Sequence, residues 1–193
     1  MNYYHKKFLS SLSSADVLPL FTRYKGSAKE ITESWGMLEA ASVNFPNLKD
    51  YFIIVVGDGC SPRTGSLFAY FTKAEVLSID PNFNENHWEE FIRKQKAIGQ
   101  EVQRLTVVKN KVENMAIDCM GRKTIIVWPH SHADMRNVIL FNCLERNDIA
   151  MPCCIPIPKM FLSQPHLHYV DYNIESEKRN VHIWKNTKVN KER

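Results

Sequence analysis

Three short stretches of this chain carry residue types able to do chemistry. The first is the turn Gly57-Asp58-Gly59 together with Asp80. Gly57 and Gly59 allow positive φ and close backbone approach at the point where an apolar run, YFIIVV at 51–56, must reverse direction. Asp80 closes a second apolar run, VLSIDP at 76–81, about 20 residues beyond the turn, where folds of this pattern hold ribose hydroxyls. Ser61 followed by Pro62 has the chemistry of a helix N-cap and first helical position. Its unpaired amides and positive dipole end would then lie beside the glycines and favour an anionic or electron-rich group. Turn and acid together describe a nucleoside site.

The second stretch is VWPHSHAD at 127–134, after a further apolar run, at the edge where open α/β sheets place ligands. His130 is the candidate base, because an imidazole with an ordinary pKa of about 6.5 suits proton transfer at neutral pH. Asp134 reads equally as a helix cap and His132 as a solvated loop residue. The third stretch is MPCCIPIPK at 151–159. A thiolate at Cys153 or Cys154 would need a nearby positive charge, for which Lys159 and His130 are the candidates. The alternative is small apolar side chains closing a strand. Zinc on Cys153, Cys154, His166 and His168 is excluded, since adjacent cysteines cannot easily occupy two tetrahedral vertices. No metal is expected.

The elements that must position these residues follow from periodicity. The run at 51–56 lacks alternation, as a parallel strand covered on both faces should. A helix follows the turn, and the run ending at Asp80 is the second strand. The spacing of Ile31, Trp35, Leu38 and Ala41 predicts a helix from Ser27 with that stripe inward. Asn86 and Glu89 have capping-box spacing for a helix over 87–98 that Gly99 would end. Strands are predicted at 104–108, 124–128 and 149–151, with a helix over 133–143 returning from the fourth. Two β-rich runs at 169–174 and 179–184, joined by a short polar segment, read as a hairpin. Residues 1–26 lack clear period and read as a lid or helical lead-in.

On VVGDGCSPRTG and VLSIDP, the chain resembles the class I, Rossmann-like, S-adenosylmethionine-dependent methyltransferases. That resemblance implies an α/β fold with a doubly wound, mainly parallel seven-stranded sheet and a C-terminal antiparallel hairpin, its last strand inserted beside the fifth. It implies S-adenosylmethionine as cofactor, held by Gly57, Asp58, Gly59 and Asp80, with Glu113 and Asn114 near the adenine. It places Pro129, His130 and Pro152 around the acceptor, and suggests Tyr24 or Trp35 as walls unless Trp35 is core. The RNA cytosine-C5 members would make Cys153 or Cys154 a nucleophile. The Asn/Asp-Pro-Pro-aromatic pattern of amino-group methylating enzymes is missing from 127–134, which argues against adenine-N6 or glutamine. Val55 and Ser61 stand where that family usually has an acid and a third glycine. They motivate a rival reading, a non-catalytic binding module or subunit of the same fold. Nicotinamide-dinucleotide binding ranks below both, because Pro62 occupies the last position of G-x-G-x-x-G, where close helix packing wants glycine.

The 193 residues suit one domain: a lead-in at 1–50, a core at 51–185 and a basic tail at 186–193. With 44% hydrophobic and 24% charged residues the composition is that of a globular chain, and no run of about 18 apolar residues suggests a membrane span. Five cysteines without even spacing point to reduced thiols and a cytoplasmic home. The net charge of +4 owes much to Lys185, Lys188, Lys191 and Arg193, which solvate the terminus or touch phosphate. The acceptor is left open between a small molecule, RNA and a protein partner.

Overall fold

Every residue of strand β1, Tyr51–Val56, is buried, because both faces of the sheet are covered. Ile53 and Val55 enter one core cluster, and Phe52, Ile54 and Val56 enter a second on the opposite face. The computed structural model describes residues 1–22, 26–100, 102–152 and 163–187. Around β1 run β2 (Glu75–Ile79), β3 (Leu105–Val108), β4 (Ala116–Pro129), β5 (Ile139–Met151), β6 (Leu167–Val170) and β7 (Asn180–Thr187). They form one seven-stranded sheet of order β3-β2-β1-β4-β5-β7-β6. Strands β1 to β5 pair in parallel. Strand β7 inserts antiparallel between β5 and β6, as the resemblance implies.

Five helices pack into the first cluster: α1 (Tyr3–Leu9), α2 (Ser14–Thr22), α3 (Ser27–Asn44), α4 (Arg63–Thr72) and α5 (Glu85–Ala97). In α3 the stripe Ile31, Trp35, Leu38 and Ala41 is buried, as its spacing predicts. Ile31 and Leu38 each add about 1.5–3 kcal/mol by leaving water. Trp35 is core: its ring meets Phe8 and Phe71 edge-on. Helix α5 starts two residues before the expected capping box, with the Asn84 side chain accepting from the His87 amide. Gly99, at φ +77°, ends it as expected.

The second face departs from the sequence reading. Residues 133–143 form no α-helix. A 3-10 turn at Met135–Asn137, capped by Asp134, leads into β5, which begins at Ile139. The reason is pairing: Ala116–Asp118 and Ile139–Phe141 extend β4 and β5 beyond the central sheet, and a two-residue period, with Val138 and Leu140 buried and Ile139 exposed, replaces the helical one. The crossover lies along the second cluster through Met135 and Val138. A buried ion pair fastens it there. Arg146 donates to Asp148 at 2.9 Å and to the Met135 carbonyl at 2.9 Å, while Trp128 and Thr187 donate to the same carboxylate at 3.0 and 2.9 Å. Among the described residues, no helix is long and apolar enough to cross a membrane. Lys185, expected to solvate the terminus, instead reaches the Asn44 carbonyl over the Phe45 ring. Residues 188–193 lie outside the described residues.

Candidate active site

The glycine turn sits at the carboxyl end of β1. Gly57 and Gly59 have φ of +83° and +81°, as their type predicts. Gly57 has a second constraint, since a Cβ there would lie 2.8 Å from the Cβ of Ser131. The loop after β4 therefore packs directly on the turn. Asp58 does not point outward. Its carboxylate accepts from the amides of Thr64 and Gly65, both at 2.8 Å, and from the Ser78 hydroxyl at 2.9 Å. It thus takes the capping role that the sequence gives to Ser61, whose hydroxyl reaches the Leu20 carbonyl instead. Pro62 precedes the helix rather than opening it. Burial pushes the Asp58 carboxyl up to about 6, against the pull of those donors.

Asp80 follows β2 and is 7% exposed. One carboxylate oxygen accepts from the Gly59 amide at 2.8 Å and the other from the Asn82 amide at 2.7 Å. A carboxylate has about four lone-pair sites, so each oxygen keeps capacity for a hydroxyl. Asp80 lines a cavity of about 390 Å³ with Val56, Ile79, Val112 and Glu113. Aliphatic side chains thus meet an acid here, and Asn82, Asn110, Lys111 and Ser131 line the same cavity. Glu113 belongs to it, as expected, through a 3-10 turn at Val112–Asn114 that follows β3; Asn114, in the same turn, is exposed and is not among its lining residues.

A second cavity, of about 380 Å³, opens on the other side of Gly57. Pro129 lines it from the end of β4 and His130 from the loop after it, Asp58, Gly59 and Arg63 from the turn and α4, Glu33 from α3, and Ser176 and Lys178 from the β6–β7 connection. Gly57, His130 and His132 border both cavities. Pro152 follows β5 and is not among the residues that line either one. Cys153, Cys154, Lys159 and Tyr24 lie outside the described residues. The described His166 accepts from the Lys185 amide, and His168 stacks on His182.

His130 does not stand alone. Its Nε2 is 2.8 Å from Oε1 of Glu33, a carboxylate only 4% exposed, and Lys29 lies 3.3 Å from the same oxygen. Burial raises the Glu33 carboxyl, but hydrogen bonds from His130 and Ser176 and the charges of His130 and Lys29 outweigh it, so it lies below the usual range. An ionised carboxylate accepts only, so the hydrogen belongs to Nε2. Two contacts set α3 at this depth. Ser34 meets Thr64 at 3.0 Å, and Gly36 lets the connection approach so closely that a Cβ there would lie 2.5 Å from Ile174. Sequence reasoning passes over Glu33, because Lys29 and Glu33 four residues apart on a helix read as a solvated pair.

No protein-family model matches the chain, and no curated protein matches it. Among solved structures, a point mutant of MtNAS, a nicotianamine synthase, has a TM-score of 0.53, with 13% identity over 95% of this chain and 69% of its own. The chain has a class I methyltransferase-like fold. Also similar are the same mutant in complex with S-adenosylmethionine (TM-score 0.49, 12% identity, 95% of this chain and 71% of that one) and a SAM-dependent methyltransferase from Aquifex aeolicus (0.47, 13%, 94% and 97%). At such identities the likeness is one of fold, and function has to be argued from the site.

Proposed function

We propose that the chain binds S-adenosylmethionine across the ends of β1 and β2 and transfers its methyl group to an acceptor in the cavity beside His130. The observation that carries this reading is Asp80, a buried carboxylate that lines a cavity together with Val56, Ile79 and Val112 and touches the glycine turn through the Gly59 amide. The donor set fits the cofactor. Asp80 would accept from ribose hydroxyls, Val56, Ile79 and Val112 would cover an adenine, and Glu113 would stand at its polar edge. Gly59, with nothing within 4 Å of its Cβ position, leaves room beside the turn. When bound, the cofactor supplies a methyl group on a sulfonium. Methyl transfer needs alignment above all, which the turn and the loop after β4 would provide. His130 would take the acceptor's proton.

A non-catalytic module of the same fold is the second reading. It is favoured by Val55, fully buried where the family usually has an acid, and by Asp58, committed to α4 and Ser78. Thermal melts decide whether the cofactor binds at all. S-adenosylhomocysteine should raise the melting temperature, by about 2.7 kcal/mol of stabilisation at a hundred times its Kd, whereas NAD should have no effect. A shift with NAD and none with the adenosyl compound would overturn the proposal.

A further inference from the structure

We propose that Cys119 and Cys143 form a redox-sensitive dithiol: peroxide oxidises Cys143, Cys119 closes a disulfide with it, and the bond staples the outer ends of β4 and β5 to the central sheet. The inference starts from two thiols on adjacent strands. Cys119, on β4, is fully buried, and Cys143, on β5, is partly exposed and packs against the same core cluster. Neither lines either cavity, so the inference is independent of the methyl-transfer reading.

The backbone brings the thiols together at the break in the β4–β5 ladder. Asp118 pairs with Phe141 on the outer side of the break and Arg122 with Cys143 on the inner side, while Met120, Gly121 and Asn142 take left-handed φ between them. Cys119 thus ends the outer segment and Cys143 opens the inner one. Neighbouring strands lie about 4.7–4.9 Å apart, inside the Cα separation of roughly 4.4–6.8 Å that a disulfide spans. In the dithiol state Cys119 donates to the Ile117 carbonyl at 3.9 Å and Cys143 to the Glu145 carbonyl at 3.4 Å, weak bonds from weak donors. A third group stands beside them. Thr124 is fully buried, its hydroxyl has no hydrogen-bond partner among the described residues, and it is placed to donate to either sulfur as a thiolate. Leaving a buried donor unpaired is costly, so a hydroxyl kept there points to an anion that forms next to it.

The two thiols are unequal. Donation from Cys119, helped by the Thr124 hydroxyl, the Glu145 amide and the Arg146 charge, brings the Cys143 thiol down to about 6 against the cost of burial. The same neighbour pushes Cys119 up, and burial adds to it. Cys143 is therefore the nucleophile and Cys119 the resolving thiol. In the first step the Cys143 thiolate attacks one oxygen of hydrogen peroxide. A sulfur–oxygen bond forms, the oxygen–oxygen bond breaks, and hydroxide leaves as water with the proton that Cys143 had released. The charge that kept Cys119 protonated is then gone. In the second step the Cys119 sulfur attacks the Cys143 sulfur, the sulfur–oxygen bond breaks, and the leaving hydroxide takes the Cys119 proton as a second water. The thiols give up two electrons and the peroxide accepts them. The ring so closed, residues 119–143, contains the crossover from β4 to β5 with His130 and His132, which border both cavities. Closing it restricts the unfolded chain and so favours the folded one.

The test uses the full chain, reduced and then treated with hydrogen peroxide. Peptide mapping by mass spectrometry should find Cys119 joined to Cys143 within one chain, with the loss of two hydrogens. The oxidised protein should melt about 5–10 °C above the reduced one, and dithiothreitol should reverse the shift. In Cys119→Ser, oxidation should stop at a sulfenic acid on Cys143 that dimedone captures, whereas Cys143→Ser should give neither a sulfenic acid nor a bond at Cys119. A bond that joins Cys60, Cys153 or Cys154 instead, a bond between chains, or a sulfenic acid that persists on wild-type Cys143 overturns the proposal. So do thiols at both positions that peroxide leaves unmodified, and a mapped Cys119–Cys143 bond with no rise in melting temperature. Should a serine variant fail to fold, the map and melt of the wild type decide alone.

Discussion

Two cavities of nearly equal volume meet at Gly57 and His130, and they differ in the side chains that line them: aliphatic residues enter the first among its polar ones, and Pro129 is the apolar side chain of the second. The one beside Asp80 is lined by Val56, Ile79 and Val112 and by an acid whose two oxygens each hold one backbone amide. The one beside Glu33 is walled by charged side chains in a network that joins α3, the loop after β4 and the β6–β7 connection. The first suits a ligand with a flat apolar part and hydroxyls. The second suits proton movement. One glycine separates them, and the close approach of Ser131 to Gly57 keeps the two spaces in register. Binding and chemistry are therefore separable by mutation.

The largest expected effect breaks the second cavity and spares the first. His130→Ala should lower methyl transfer roughly 10²–10⁴-fold if the imidazole is the base, with calorimetric affinity for S-adenosylhomocysteine unchanged. A small loss would leave His130 as wall only. Next comes a lesion remote from both cavities. Asp148→Ala strands the buried Arg146 beneath the crossover and should lower stability by about 3–5 kcal/mol, read by urea unfolding, without changing cofactor affinity at low temperature. An affinity loss of the same size would mean that the second face shapes the site.

The smallest effect concerns the turn between the cavities. Asp58 is held up at about 6 by burial, so its contribution to stability is full below the ordinary carboxyl pKa of about 3.9 and is lost as pH rises through about 6. Asp58→Asn removes that titration. Wild-type melting temperature should therefore fall relative to the variant across that window, and parallel curves would show that the amides of Thr64 and Gly65 keep the carboxylate ionised.

The fold was legible where the signal is local. The continuous run of β1, the stripe of α3 and the left-handed Gly99 each report their own surroundings, and the positions of Gly57, Asp80 and His130 at strand ends follow from them. The extensions of β4 and β5 were hidden. Residues 116–123 contain Asp118, Gly121 and Lys123, and Met120, Gly121 and Asn142 take positive φ at the irregularity in the ladder, so no alternation survives to be read. Only pairing across the chain makes these residues strand. The same pairing removed the helix expected at 133–143. Glu33 was hidden for a related reason. Lys29 four residues before it gives the acid the look of one half of an exposed helical pair, and only the packing that buries Ile31 to Leu38 shows otherwise.

The division between the cavities is tested most directly by titrating S-adenosylhomocysteine into wild type, Asp80→Ala and His130→Ala under one set of conditions. Asp80 also anchors the Gly59 and Asn82 amides, so its variant should melt earlier and must be titrated well below that transition. Loss of a charge-assisted hydrogen bond costs roughly 1.5–3 kcal/mol, so Asp80→Ala should weaken binding about ten- to a hundred-fold while His130→Ala matches wild type. Unchanged affinity in folded Asp80→Ala, or an equal loss in both variants, would contradict the account.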